Sequence, residues 1–520
     1  MRIRHVARGG EPRVADLFGT LAALSRDEAE DFPALRAHQR APWHAFLVQV
    51  AALALLREGT DGLPDEASEW ERLLLALTPD HPGGEAWRLM VEDWSRPALL
   101  QPPGMDAKLR DDPKLRAKAK RAETPDALDM LLTARNHDLK GERMARAADD
   151  DWLFALVSLQ TQEGQMGAGN YGVSRMNGGY GARVAFGLEP VEGTPGRAFA
   201  RDARRLVRTT KGDGFSLLWV EPWDGTTSLP FAKLHPLYVE ICRRVRLVAR
   251  DGEIEGAVLG NSKVPRVAAK ERRGITDDPW APIVVDDSKS WGVSAAGFGY
   301  RQMTTLLDGK KVKRPKLAIP ATADGTGGLT VVARAVTRGQ GKTEGYHERR
   351  VRVPPAARGL LGGGSDRLAL TARAREGDAS EVAGILRHAL RALFQGGPDD
   401  VRHDDEATNA KLVPHLRAYD RSVDTVFFDD PFWEAATATG EGALQRHAGL
   451  WRARLRDIAR DVLGRAERSA PRTAQRRHRA IVRARGVLEG RLRPFVGDAS
   501  GRVESDATTG TAGRGAGRAR

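Results

Sequence analysis

Residues 378–398 read DASEVAGILRHALRALFQGGP, and this stretch decides the fold class of the chain. Val382, Ile385, Leu386, Leu390, Leu393 and Phe394 recur three and four positions apart, which gathers them on one face of an α-helix. Gly396, Gly397 and Pro398 then end it, because glycine accepts the left-handed backbone of a helix C-terminus and proline cannot continue the ladder. Downstream the same period returns. A second helix is expected within 408–425, a third carries Leu444, Trp451, Leu455, Ile458 and Val462, and a fourth carries Ile481, Leu488 and Leu492. Four helices with short connections predict an antiparallel bundle over 376–496. Residues 497–520, GDASGRVESDATTGTAGRGAGRAR, offer almost nothing to bury and are expected to form a disordered tail.

Upstream the pattern is mixed. Residues 42–57, PWHAFLVQVAALALLR, are apolar on nearly every side, so they read as a buried helix with Pro42 in its first turn. Residues 127–133 (ALDMLLT) are short and apolar, and 152–161 (WLFALVSLQT) form another buried element, read as helix. Residues 103–123 alternate Lys, Arg and Asp around prolines and read as a charged loop. Between 164 and 187 there are eight glycines, a density that forbids a stable helix and lets backbone approach backbone or ligand closely. Residues 215–220 (FSLLWV), 239–250 (VEICRRVRLVAR) and 328–337 (GLTVVARAVT) contain β-branched, strand-like stretches. The fold class is therefore α+β: a large mixed N-terminal domain over 1–375, then the C-terminal antiparallel four-helix bundle.

Composition narrows the function. The 520 residues carry 82 Lys and Arg against 69 Asp and Glu, a net charge of +13 with a pI near 10, which points to a polyanionic partner. One cysteine, Cys242, excludes a disulfide framework and a cysteine-based zinc site. The opening MRIRHVARGG lacks the apolar core of a signal peptide, and the longest apolar run, Phe46 to Leu56, is too short to span a bilayer. The expected location is the cytoplasm. Aromatic residues make up 6%, too few for a surface built on base stacking, so phosphate contacts should carry the affinity. The charge is uneven: Trp451 to Phe495 holds fourteen arginines against four carboxylates. A solvated face mixes signs, so this loading favours a phosphate-tracking surface, with Arg476, Arg477, Arg479 and Arg483 as non-specific DNA contacts.

Motifs for chemistry are weak. Gly167-Ala-Gly-Asn-Tyr-Gly172 matches GxGxxG, but a dinucleotide site needs a strand just before it and a helix just after, and the glycine-rich sequence supplies neither. Gly341-Lys342-Thr343 resembles the end of a phosphate-binding loop, yet Val336 stands where that loop needs its first glycine. Asn136-His137-Asp138 groups metal-capable side chains that cannot all reach one ion, and the histidines show no HxxxH spacing. No nucleophile motif of the GxSxG kind occurs. The reading is a protein that is not an enzyme and takes no cofactor or metal. The competing reading is a nucleotide- or metal-dependent nucleic-acid-processing enzyme built on GQGKT or RNHD; a third is a scaffold that binds only RNA or protein.

The order of segments resembles the large subunit of the type I-E CRISPR Cascade surveillance complex, the CasA family. The likeness runs through LVQVAALALL, PALLQPP, LTARNHDLKGER, SRMNGGYGARV, HPLYVEI, AAKERRGITDDPW, RGQGKTEGYHERR and the C-terminal bundle. It implies a non-catalytic subunit that recognises the protospacer-adjacent motif (PAM) on double-stranded DNA, starts its unwinding and helps recruit a helicase–nuclease in trans. By this resemblance the Gly167–Gly172 loop, with Gly169 and Asn170, faces the minor groove, and Lys270 is the lysine finger. Gln340, between Gly339 and Gly341, is the glutamine wedge. One amide cannot supply the whole cost of unstacking a base step, so Arg338 and Lys342 are also expected on phosphates. Asn136, flanked by Arg135 and His137, meets the 5′ handle of the guide RNA. The bundle lies along the small subunits and the displaced strand. Some relatives carry a cysteine cluster before the finger that this chain lacks, so Lys263, Arg272 and Arg273 stay open beside Lys270. The implied partners are guide RNA, target duplex, the other Cascade subunits and the helicase–nuclease, with no membrane.

Overall fold

The computed structural model describes residues 1–106, 109, 112, 114, 120–129, 147–178, 182–191, 193–339, 342–362, 366–399, 401–470 and 473–497. They form two compact units: Met1–Phe298 with Gly309–Arg358, and Gly299–Asp308 with the described residues from Gly359 onward.

The first unit is organised by the Arg40–Glu58 helix, whose Trp43, Phe46, Leu47, Val50 and Leu53 are all buried. Trp43 stacks on Phe46 at 5.8 Å and meets Phe154 of the Asp149–Gln162 helix edge-on at 5.0 Å. Gln49, the polar break in the apolar run, is buried because its amide donates to the carbonyls of Leu237 and Tyr238. Gln160 does similar work: it donates to Leu100 O and Arg243 O and accepts from the Cys242 and Arg243 amides. A buried amide is tolerable only when so paired. The Pro195–Thr209 helix is amphipathic, with Phe199, Ala203 and Leu206 inside.

The sheets are small and mostly antiparallel. The one that carries the 329–353 hairpin runs Lys342–Val353, Leu329–Gly339, Ala185–Pro190. Two of the strand-like runs are strand in part. Only Phe215–Leu217 of 215–220 is strand, and Trp219 then turns into the core, where its indole donates to Ala86 O. The run 239–250 breaks at Glu240–Arg243 between strands Leu234–Val239 and Arg244–Arg250. The break bends Cys242 and Arg243 onto Gln160, so long-range hydrogen bonds override local β-propensity. Cys242 is buried, and burial pushes its thiol up to about 12.

In the second unit the long helices are Asp366–Phe394, Glu406–Val426, Glu441–Ala466 and Ala474–Gly497. Side-chain bonds give their directions. Tyr419 donates to Ala379 O and Arg391 to Asn409, so the first two run antiparallel. Arg460 pairs with Glu489 and Arg485 with Glu467, so the last two do as well. The first helix begins at Asp366, so the 375/376 position falls inside it. Its early face is small (Leu368, Ala369, Ala372) and hidden among charges, which is why periodicity misses it. Leu444 points to solvent at 46% exposure, contrary to the period. A short helix, Asp430–Thr437, buries Phe432 and Trp433 and was not foreseen. Residues 498–520 lie outside the described residues. Among those described, no helix is long and apolar enough to cross a membrane.

Candidate nucleic-acid interface

The glycine loop starts where the Asp149–Gln162 helix ends, at Glu163. Gly167 and Gly169 adopt φ of 90° and 82°, a left-handed backbone that glycine takes without strain. The Asn170 amide donates to Gly167 O and the Met166 amide to Asn170 O, closing a tight turn. At Gly172 a Cβ would lie 2.8 Å from the Gln165 nitrogen, so no other residue fits. Arg243 fastens the loop from below, donating to Gly164 O at 2.9 Å and to Tyr171 O. Burial pushes its guanidinium down from the ordinary value.

The following segment, Ser174–Asn177, is a polar clasp around the buried Arg175 that sequence reasoning did not single out. The Ser174 amide donates to Glu240 at 2.5 Å, Arg175 lies 3.9 Å over the Tyr238 ring and donates to Tyr238 O, and Asn177 donates to Ser290 O. Arg183 forks onto Asp278 at 2.7 and 3.2 Å, both side chains being buried. Burial raises the Glu240 carboxyl from its ordinary value, although Arg175 opposes it. The signal available in sequence was the isolated arginines within SRMN and GARV.

A second segment, Asn261–Lys263, is bonded to the loop. The Ser262 amide donates to Gly169 O at 3.0 Å, the Tyr171 hydroxyl donates to Lys263 O at 2.8 Å, and a Cβ on Gly169 would press on Asn261. The exposed Lys263 therefore stands at the glycine loop. Lys270 is also exposed and sits in a single helical turn, Lys270–Arg272. Arg272 covers the Phe231 ring at 4.1 Å and Arg273 donates to Asp287 O, so both have intramolecular tasks.

The third element is the hairpin. Strands Leu329–Gly339 and Lys342–Val353 pair down to Gly339 opposite Lys342, which leaves two residues between them. Those two, Gln340 and Gly341, and the Lys342 side chain lie outside the described residues. Arg338 is described, and it corrects the expectation of a phosphate contact. It is buried, ion-paired with Glu163 and set against the Met166 sulfur at 2.8 Å. Burial pushes it down to about 10, so it stays charged at neutral pH. Lys342 and Thr343 lie on the second strand, Thr343 opposite Arg338, so a strand stands where a phosphate-binding loop needs a helix. The GxGxxG loop follows a helix and the next regular element is the Ala185–Pro190 strand, the reverse of a dinucleotide site.

Arg135, Asn136 and His137 lie outside the described residues. The flanks of their segment are held: Asp129 accepts from Gln39 at 2.5 Å and pairs with His38 at 2.7 Å, and Asp150 accepts from Arg4. In the second unit Arg476, Arg477 and Arg483 pair with no carboxylate among the described residues, whereas Arg479 donates to Gly397 O at 2.8 Å. Among the described residues no group of three or more His, Cys, Asp or Glu is placed to hold a metal.

No family model matches the chain, and no curated protein does. Solved structures do. CasA of Thermus thermophilus superposes with a TM-score of 0.64 at 16% identity, over 95% of this chain and 98% of that one. The chain has the CasA fold. CRISPR-associated Cse1 of Acidimicrobium ferrooxidans gives 0.62 at 14% identity over 96% and 97%, and Cse1 of Thermobifida fusca gives 0.60 at 13% over 95% and 97%. Both units of this chain fall within the match.

Proposed function

We propose that this chain is the non-catalytic large subunit of a type I-E CRISPR RNA-guided surveillance complex in the cytoplasm. It recognises the PAM on double-stranded DNA, starts unwinding toward an R-loop, and helps recruit a helicase–nuclease for antiviral defence. One observation carries the reading: on a CasA fold matched end to end, the glycine loop, Asn261–Lys263 and the hairpin end are bonded into a single cluster. A narrow minor groove is read by slim backbone and a few long polar side chains, which is what this cluster presents. Gly167, Gly169 and Asn170 enter the groove with a lysine, Lys270 or Lys263. Gln340, between Gly339 and Gly341, parts the first base pair, and Lys342 steadies a phosphate. Asn136, with Arg135 and His137, holds the guide-RNA handle, and target sequence is read by base pairing to the guide.

The test is reconstitution with the other Cascade subunits, including the small ones, and a guide RNA. Affinity for a matched duplex should depend on the few base pairs beside the target. Gln340→Ala should slow R-loop formation on linear duplex more than on targets pre-opened by mismatches there, with negative supercoiling a partial rescue. Equal slowing on all three would remove the wedge role, and PAM-independent binding by the wild-type complex would remove the proposal itself.

A further inference from the structure

We infer that Arg338 and Glu163 are positioning residues: they clamp the end of the hairpin to the glycine loop, so that groove reading and strand separation are performed by one rigid body. The inference rests on the function proposed above for those two elements and adds the part that joins them.

The need for a clamp follows from strand pairing. The Ala185–Pro190 strand covers only Leu329–Arg334, so beyond Arg334 the hairpin is a two-stranded ribbon. A ribbon is marginally stable in water unless it packs, and this one packs through the buried Ala335, Val336 and Thr337, which leaves the residues beyond Thr337 to be fixed. A register shift between Thr337 and Arg338 re-aims the last residues, as a bulge does. Thr337 ties the two strands at this point, donating to Gly345 O at 3.2 Å and meeting His347 at 3.1 Å, but neither bond reaches another element. Arg338 does. It crosses to Glu163, one residue beyond the Asp149–Gln162 helix, so its anchor is the end of a buried helix.

The same carboxylate serves the loop. Glu163 lies 3.8 Å from Arg243, which holds Gly164 O and Tyr171 O, and the Glu163 carbonyl accepts from the Val173 amide. Arg338's other terminal nitrogen rests on Met166, at the start of the glycine turn. A single buried carboxylate thus lies between the arginine of the hairpin and the arginine of the loop. Removing either partner of a buried pair strands the other charge, so the clamp is held far more firmly than a surface ion pair.

Two experiments separate the clamp from the function it serves. In the full-length chain alone, Glu163→Gln and Arg338→Lys should speed amide exchange at 336–339 and 342–346 by about tenfold or more, while the doubly paired 329–334 keep their wild-type rates. In the assembled complex, Glu163→Gln should slow R-loop formation on linear duplex by about tenfold and on pre-opened targets by no more than about twofold. Adding Gln340→Ala should slow it no further. Arg338→Lys, which keeps the charge, should fall between wild type and Glu163→Gln. Wild-type exchange at the hairpin end would overturn the inference, as would equal slowing on linear and pre-opened targets, or losses that multiply in the double variant. Exchange requires no nucleic acid, so a wild-type complex indifferent to the PAM would refute the proposed function and leave the clamp standing.

Discussion

Replacing Arg476, Arg477 and Arg483 together with alanine should change how DNA binding responds to salt, and by an amount the structure sets. These three side chains of the Ala474–Gly497 helix have no carboxylate partner among the described residues, so no described carboxylate competes with a phosphate for them. Each phosphate neutralised contributes about 0.9 to the slope of log affinity against log salt on duplex, and about 0.7 on a single strand. Three contacts are therefore worth about 2.7 or about 2.1. Over the fourfold rise from about 50 to 200 mM salt, the wild-type complex should lose about 40-fold more affinity than the variant on duplex, or about 20-fold more on a single strand. Arg479 is the internal control. Its guanidinium holds Gly397 O, and Gly397 has φ of 74° with the Arg479 backbone 2.8 Å from where a Cβ would be. Arg479→Ala should cost stability, about 1 kcal/mol for one lost hydrogen bond, and leave the slope alone. The assay is titration of the assembled complex against matched and unmatched DNA at several salt concentrations. A triple variant with the wild-type slope would show that these arginines face protein or solvent. A slope lowered as much by Arg479→Ala would refute the division between them.

Asp278→Asn should destabilise the chain by about 3–5 kcal/mol in denaturant titration, because it strands the buried Arg183. The same pair sets an acid limit: burial pushes Asp278 up, but Arg183 and then Arg175 outweigh it and hold the carboxyl below its ordinary value. Its contribution is full above the unfolded value of about 3.9 and is lost as pH falls through the lower folded value, so it should not weaken between neutral pH and about pH 4. Gly274→Ala should lower Tm measurably, since φ is 81° there and a Cβ would collide with Ser290, opening the turn that carries Lys270. Lys263→Ala should reduce discrimination between targets with and without the PAM by about tenfold, the worth of one groove contact. Full discrimination in Lys263→Ala together with its loss in Lys270→Ala would return the finger to Lys270.

What could be read early was local. The apolar face of Val382, Leu386, Leu390 and Leu393 specifies a helix from residues within four positions of each other, and the structure buries all four. The Arg40–Glu58 and Asp149–Gln162 helices follow from the same kind of signal. The hairpin around Gln340 was legible because LTVVARAV is β-branched and GQG punctuates it. The breaks were not legible: VEICRRVRLVAR contains strand-like stretches, but nothing local marks where Gln160, far away in the chain, captures Cys242 and Arg243. The Asp430–Thr437 helix was missed because its burial depends on Phe432 and Trp433 finding partners in other helices.

By itself, then, the sequence determined the division between a mixed α/β region and a helical one, the helices with a clear period, the concentration of arginine in the last two of them, and the slim glycine-flanked elements. Those depend on spacing and composition, which act over a few residues. Only the tertiary structure decided which charged groups are available. Arg338 looked like a phosphate contact and is sealed against Met166, 172 positions away. Arg479, exposed like Arg476 and Arg483, differs from them in turning its Nε to the Gly397 carbonyl. Lys263 gained its place beside the glycine loop through Tyr171 and Ser262. A charge is free or committed according to what folds against it, and that is set by long-range packing and desolvation, which no local pattern records.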